Sequence, residues 1–435
     1  MLKKLYEKGF IKKRLDTENP IKQDIDSRWN NVNMLVNNES EVRKSGDTAV
    51  SPDSCETAVV LYAEAFPPET GGGERYNFEL AKGINDAGIK MSVVTPVISE
   101  LKEDFKFKVL RLKMPMRFGF SLNLLEPLIL IIKERPRIVH FSGPAVIDFI
   151  LIPLFKLLGY SVILTFHGQF NNKFARAFSK FLIPIVYKRV DIIIVETERD
   201  QNYLASKQVG SYKIRKFVFD GVNKSKFNCS ESHRDDCSQS ENKPLRFIFI
   251  GGLSSSRSYK GYDLLVDMFV KLKDSPIFPI PELIIVGSGD RLIEMKKKCE
   301  GLDYIRFKGR LNDDEMIEEL CNSDILILPS KSDGEGFGIV ALEALSCNKP
   351  VMVSKYAGIA ELTSKYNAGI VYDPWDIEKA IKTVNDINVN RNMLNVFREN
   401  IENLFKIENL SKDYSITKTI EVYREVLASD QSFYE

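Results

Sequence analysis

The chain is 435 residues long, with 44% apolar and 28% charged residues, and its 61 Lys and Arg almost balance 60 Asp and Glu for a net charge of +1. A chain of this length exceeds what one hydrophobic core usually supports, so two domains are expected. The near-zero charge excludes the basic footprint of a nucleic-acid-binding protein, and no nucleic-acid partner is predicted.

Residues 1–54 are rich in Asn, Lys, Glu and Asp and show little apolar periodicity after Leu15, which predicts a charged, flexible N-terminal extension. The N-terminus is charged and has no apolar segment before a small-residue cleavage site, so no secretory signal is expected. The basic stretch Met1–Arg14 has the composition of a weak membrane-binding helix, although Gly9 and a ragged apolar face oppose that reading. From Thr57 the pattern changes to strands alternating with helices. Strands are predicted at Ala58–Tyr62, Met91–Thr95, Phe107–Leu112, Ile138–Phe141, Ser161–Phe166, Asp191–Val195 and Lys216–Phe219. Gly71-Gly72-Gly73 reads as a loop before an amphipathic helix at Tyr76–Ala87. The most apolar stretch, Val146–Phe166, is interrupted by Asp148, Pro153, Lys156 and Gly159 and reads as a helix and a strand, not a bilayer span. Between Gly168 and Val190 there is no acid; Lys173, Arg176 and Lys180 fall on one helical side, and Phe174, Phe178, Phe181 and Ile185 on the other. Packing of the Phe side is expected, and the basic side suits anionic lipid, with a solvated face as the alternative.

Residues 224–242 are polar and poor in strand or helix formers, which marks a linker. A second alternation follows: strand Arg246–Ile250, helix Tyr262–Lys273, strand Leu283–Val286, helix Arg291–Cys299, strand Ile305–Lys308, helix Asp313–Cys321, strand Ile325–Leu328, helix Ile339–Leu345, strand Val351–Val353, and a last helix at Tyr414–Leu427. Two doubly wound parallel sheets, facing each other across a cleft, are predicted, with ligands at the carboxyl ends of the strands. The domain assignment is 1–54 extension, 55–223 N-terminal acceptor-side domain, 224–243 linker, 244–412 C-terminal domain, and 413–435 a helix packing back toward the N-terminal domain. The six cysteines form no C-x-x-C or other metal-ligand spacing. Cys321 and Cys347 fall in apolar helical patterns and read as core thiols, which suits a reducing cytosol. Cys229 and Cys237 fall in the polar linker and read as free, with a pairing between them as the alternative.

The densest chemistry lies at Ser330–Leu345, where Glu335 sits on a loop with Gly334, Gly336 and Gly338 and Glu343 sits inside the following helix. Backbone N–H groups at that helix start suit a diphosphate. Eight residues of helix span roughly 12 Å, enough for one acid to meet a sugar and the other a ribose. The spacing points to a nucleotide-sugar site.

With these segments in order, the sequence resembles the retaining glycosyltransferases of the GT-B fold in the group-1 family (family four). The resemblance covers roughly Thr57 to Leu427. It rests on Leu283-Ile-Ile-Val-Gly287-Ser-Gly289, Ile305-Arg-Phe-Lys-Gly309-Arg310, the Glu335 to Glu343 motif, Pro350-Val-Met-Val-Ser, Ala357-Gly358-Ile-Ala-Glu361, Thr165-Phe-His167-Gly168, Gly71–Gly73 and Asp220-Gly221-Val222. It implies a two-domain, Rossmann-like enzyme moving a hexosyl unit from a nucleotide-diphosphate sugar, UDP- or GDP-linked, to a glycan, lipid-linked or other hydroxyl acceptor. It implies retention without a metal and without a separate cofactor, in polysaccharide or glycolipid synthesis, in the cytoplasm or at the inner membrane face. His167 and Glu335 are the implied catalytic residues. Gly72, Gly73, Arg257, Lys260, Gly336, Phe337, Gly338 and Ile339 are the implied diphosphate site, Glu343 the ribose acceptor, and Gly287, Gly309 and Arg310 the nucleotide pocket. Three residues depart from the family pattern. Gly252 stands where Arg is usual, so the cation falls to Arg257 on a longer loop; Asp220 replaces Asn and Asn348 replaces Gly. A non-catalytic nucleotide-sugar-binding scaffold and a nucleotide-sugar epimerase of the same fold are the alternatives.

Overall fold

A computed structural model describes residues 57–68, 71–96, 105–112, 125–170, 173–229, 243–274 and 278–431. The N-terminal extension, Cys55, Cys237 and most of the expected linker lie outside these residues. The first seven strands are β1 (Val59–Ala63), β2 (Met91–Pro96), β3 (Val109–Leu112), β4 (Ile138–Gly143), β5 (Ser161–Phe166), β6 (Ile192–Val195) and β7 (Ile214–Lys216), in sheet order β3-β2-β1-β4-β5-β6-β7. The last six are β8 (Arg246–Ile250), β9 (Glu282–Val286), β10 (Ile305–Gly309), β11 (Ile325–Leu328), β12 (Val351–Ser354) and β13 (Gly369–Tyr372), in order β10-β9-β8-β11-β12-β13. The registered pairs are parallel throughout, for example Phe247 with Leu283 and Leu326 with Val351. Both sheets are of the doubly wound type that the alternating pattern predicts.

The helices are α1 (Gly72–Asp86), α2 (Leu125–Glu134), α3 (Asp148–Leu157), α4 (Lys173–Val186), α5 (Glu198–Ser206), α6 (Tyr262–Lys271), α7 (Leu292–Lys298), α8 (Asp313–Cys321), α9 (Ile339–Ser346), α10 (Ala360–Tyr366), α11 (Ile377–Val389), α12 (Asn392–Ile407) and α13 (Lys412–Gln431). The chain divides into two compact units. One comprises residues up to Leu164, with Arg189–Ile192 and Val422 onward; the other comprises Thr165–Lys188 and Ile193–Glu421. In the second unit the central strands β11 and β12 are buried all along, as expected where both faces of a sheet are covered. Phe247, Phe249, Leu283, Ile285, Ile325 and Ile327 pack into one core, and the alternate residues Ile248, Ile284, Val286, Leu326 and Leu328 into another. In the first unit, Tyr423 of α13 is buried with its hydroxyl 2.7 Å from His140 Nδ1.

Four local expectations are corrected. Gly72 and Gly73 open α1 instead of preceding it, with extended Gly71 as its N-cap. The strand expected at Lys216–Phe219 is β7, shifted to Ile214–Lys216. On α4 the apolar side is not packed: Phe178, Phe181 and Ile185 are exposed, and Ser179, Ile183 and Val186 are buried instead. Cys229 and Cys321, read as free thiols, form a disulfide, while Cys347 is a buried free thiol as expected. No helix among the described residues is long and apolar enough to cross a membrane.

Candidate functional site

The loop 329–338 leaves the carboxyl end of β11 and is tied down by its backbone. The Lys331 N–H donates to the Tyr259 carbonyl at 2.7 Å, and the Ser354 hydroxyl to the Ser330 carbonyl at 2.6 Å. The Gly358 and Ile359 N–H groups donate to the carbonyls of Gly336 and Phe337, each at 2.8 Å. Gly338 is the N-cap of α9 at φ 92, a conformation that L side chains rarely adopt. The strand end of β5 lies against this loop: a Cβ on Gly336 would stand 2.8 Å from the His167 carbonyl oxygen. Thus His167, Glu335 and the start of α9 meet within the second unit.

Lys260 comes to the same place from β8. Its 3₁₀ turn, Ser255–Lys260, ends at Gly261 with φ 72, where a Cβ would sit 1.8 Å from the Pro329 carbonyl oxygen, so only glycine lets the turn press against the end of β11. The Lys260 ammonium then reaches both Glu335 oxygens at 3.0 and 2.9 Å, with side chains only 16% and 8% exposed. Burial works to lower the Lys260 pKa, but the Glu335 charge and hydrogen bond outweigh it and hold the ammonium above its usual range. Arg257 lies over Gly252: a Cβ there would meet Arg257 Cδ at 3.0 Å and Nη1 at 3.3 Å. The Arg257 charge is also felt at Lys260. The guanidinium on the longer loop therefore occupies the space beside the position where the family carries Arg.

Glu343 is 4% exposed on α9 between Leu342 and Ala344. His167 packs edge-on against Phe219, ring centroids 4.9 Å apart, and burial lowers its pKa to about 4, leaving a neutral imidazole near pH 7. The neighbouring strand ends are equally close: Gly287 N–H donates to the Gly309 carbonyl at 2.7 Å, and a Cβ on Gly287 would lie 1.9 Å from the Gly251 carbonyl oxygen. Arg310 beside them is exposed. Phe337 is buried and Ile339 partly buried at the helix start. Gly72 and Gly73 belong to the first unit. At Gly73 a Cβ would make an ordinary 3.6 Å contact with Ala65 Cβ.

Several residues escaped the sequence reading. Glu361, quoted only as part of a motif, accepts hydrogen bonds from the Glu198 and Arg199 N–H groups at 2.8 and 2.9 Å, so it anchors the first turn of α5. Lys331 pairs with Asp263 and lies 5.7 Å from the Trp375 ring centroid. Asp333 pairs with Arg199 at 3.5 Å. Lys331 and Asp333 flank the recognised acid, so position in the motif was their only signal; their partners are distant in sequence.

Two families match in tandem: "Glycosyltransferase Family 4" over residues 70–215 and "Glycosyl transferases group 1" over residues 233–404. Sulfoquinovosyl transferase SQD2 of Arabidopsis thaliana is 23% identical over 283 residues, which is 62% of this chain and 52% of that protein. The chain thus spans about half the length of that relative. Among solved structures, sucrose-phosphate synthase from Thermosynechococcus elongatus superposes with a TM-score of 0.71 at 16% identity, covering 86% of this chain and 100% of that one. Anabaena HepE in complex with UDP-glucose superposes at 0.62, also with 16% identity, covering 85% and 99%. These likenesses show the GT-B fold.

Proposed function

The chain belongs to the group-1, family-four glycosyltransferases, and from that premise we propose that it transfers a hexosyl unit from a nucleotide-diphosphate sugar to a hydroxyl acceptor, with retention and without a metal ion. The observation that carries this reading is the convergence of Lys260, Glu335 and the β5 strand end at His167 on one loop at the carboxyl ends of β8 and β11. A nucleoside diphosphate gathers negative charge as the glycosidic bond breaks. Fixed cations and helix N–H groups aimed at it lower that barrier. Lys260 and Arg257 supply the cations, the α9 start the N–H groups, and Glu343 the ribose acceptor. Glu335 holds sugar hydroxyls beside the anomeric carbon, and neutral His167 offers a hydrogen bond to the transferred sugar or acceptor. The departing diphosphate oxygen takes the acceptor proton, so no enzyme nucleophile is required. The UDP-glucose complex of HepE favours a UDP-linked donor, with a GDP-linked donor as the alternative. A lipid-linked acceptor at the inner membrane face is favoured by the exposed apolar side of α4, Phe178, Phe181 and Ile185.

The test is calorimetry and thermal shift of the purified chain against UDP-, GDP- and ADP-sugars with EDTA present. One nucleotide is expected to raise the melting temperature by mass action. A folded chain that binds none of them would favour the scaffold reading, which rests on Gly252 in place of Arg. Sugar inversion without any acceptor would favour the epimerase.

A further inference from the structure

Outside this site, the most concentrated unassigned chemistry is sulfur. Cys229 lies on the segment that follows β7, Cys321 is the last residue of α8, and Cys347 directly follows α9. The three come from positions 92 and 26 residues apart in sequence order, yet their sulfur atoms all lie within 4.8 Å of one another and all three residues are buried. Among the described residues this is the one grouping of three or more potential metal ligands of the Cys, His, Asp and Glu types.

We propose that the reduced form of this triad is a three-thiolate site for a soft d10 cation of the zinc or cadmium type, and that the Cys229–Cys321 disulfide is its oxidised, closed form. Metal–sulfur bonds of about 2.3 Å place sulfur atoms roughly 3.8–4.0 Å apart in tetrahedral or trigonal geometry. The bonded Cys229 and Cys321 sulfurs, about 2 Å apart in any disulfide, must therefore part by about 2 Å once reduced, while Cys347 already lies within 4.8 Å of both. The surroundings select for softness: Phe227, Ala344 and Leu345 belong to the same apolar core, which offers no oxygen-rich shell to a hard ion. The charge is partly offset. Three thiolates around a divalent ion carry one net negative charge, and the buried Lys349, whose ammonium donates to the Cys321 carbonyl at 2.5 Å, brings one positive charge. That cation lowers the cost of the charge in an apolar interior, while the buried Glu343, whose charge is also felt at Cys347, works against it.

Opening the site requires an external two-electron reductant. Two electrons and two protons enter and the Cys229–Cys321 bond breaks; two reductant thiols leave as their own disulfide, or a phosphine takes oxygen from water and leaves as its oxide while the two thiols take the protons. Binding a divalent ion then releases three protons, one from each thiol. The bound ion would fasten the post-β7 segment, already held by the Ser346 hydroxyl on the Phe227 carbonyl at 2.9 Å, to the ends of both α8 and α9.

The test uses the full chain with Cys55, Cys237 and Cys299 replaced by Ser, reduced with a phosphine and titrated anaerobically with Cd²⁺. One equivalent is expected to saturate a thiolate-to-cadmium charge-transfer band. That band should be absent before reduction, displaced by excess Zn²⁺ and lost in Cys347→Ala. Cys229→Ser provides a second ligand-deleting variant if Cys347→Ala fails to fold, and Zn²⁺ should raise the melting temperature of the reduced chain only. A reduced, folded chain without the band overturns the proposal. So does a band of full intensity in either variant, or in the oxidised chain.

Discussion

Lys260 and Glu335 each have a role legible from motif spacing, but their pairing across 75 residues is not. It depends on Gly261 letting one strand end press on another, and nothing local to either residue encodes that approach. The pairing sets a prediction. Lys260→Met leaves a carboxylate only 8% exposed without its counter-charge, which should cost about 3 kcal/mol in urea unfolding. Adding Glu335→Gln removes the orphan charge and should recover most of that stability while turnover stays low. A double variant as unstable as Lys260→Met would show that the pair is not what holds the loop. Arg257 yields a second prediction. The sequence leaves its role open because Gly252 breaks the pattern; the structure places its side chain over that glycine. Arg257→Ala should therefore weaken donor binding about tenfold, near 1.4 kcal/mol, measured by calorimetry. An unchanged affinity would make it a solvated loop charge.

Among the elements, strands and helices that cover a sheet on both sides were legible because unbroken apolar runs and 3.6-residue periodicity coincide there with Gly and Pro punctuation: β5, β8, β11 and α8 lie at the predicted residues. What escaped are elements whose burial is partial or whose boundary is set by tertiary contact. β13 has only Tyr372 fully buried, so its apolar signal is weak; α10 before it and α11 and α12 after it also escaped, although Asp376 caps α11 by accepting from the Lys379 N–H. The Gly71–Gly73 run reads as a loop because glycine is a poor helix former, yet tertiary packing draws two of the three into α1. The exposed side of α4 carries the opposite lesson, since periodicity finds an apolar stripe but not whether anything covers it. Glu361 shows how a motif residue can be structural. Its carboxylate serves the first-turn N–H groups of Glu198 and Arg199 on α5, while Thr197 caps the same helix through Asp200. Glu361→Ala should cost about 1–3 kcal/mol in thermal or urea unfolding, the range for orphaning hydrogen-bonded groups, without removing the helix or donor binding. Loss of donor affinity at unchanged stability would instead put Glu361 in the site.

At the scale of the whole molecule, the two sheets are legible from the repeated alternation, and a last helix turning back toward the N-terminal domain is expected, but the return of Arg189–Ile192 to the first unit and the point, Val422, at which the last helix joins it are not. It depends on which buried surfaces meet, as when Tyr423 closes on His140. Buried groups change their proton affinity on folding in both units, and this gives the molecule a pH signature; in the second unit burial, with the Asp220 charge second, raises Glu196, and burial raises Asp200. In the first unit burial pushes Asp148 to about 7, although the Ala145 N–H at 2.7 Å works the other way. Burial, with the Asp148 charge second, pushes Glu64 to about 8. Unfolded, both ionise near pH 4. Between about pH 4 and 8 the folded state holds more protons at these two groups, so their contribution is fully present at low pH and declines as pH rises through the folded values. In the second unit His167 does the reverse. Its folded pKa of about 4 lies below the unfolded value near 6.5, so its contribution is complete above about pH 6.5 and is lost as pH falls toward 4. The two trends oppose each other below about pH 6.5, and only the acids' decline remains between there and about pH 8. Urea midpoints across that upper window should fall less steeply in Asp148→Asn and Glu64→Gln than in the parent, by at most about 1.4 kcal/mol per pH unit for each proton removed. His167→Asn should leave the upper window unchanged and, with the opposing trend removed, make the decline with pH between about 4 and 6.5 steeper. If the acid variants track the parent between about pH 6.5 and 8, the two carboxyls are already ionised in the folded chain, and water must reach them.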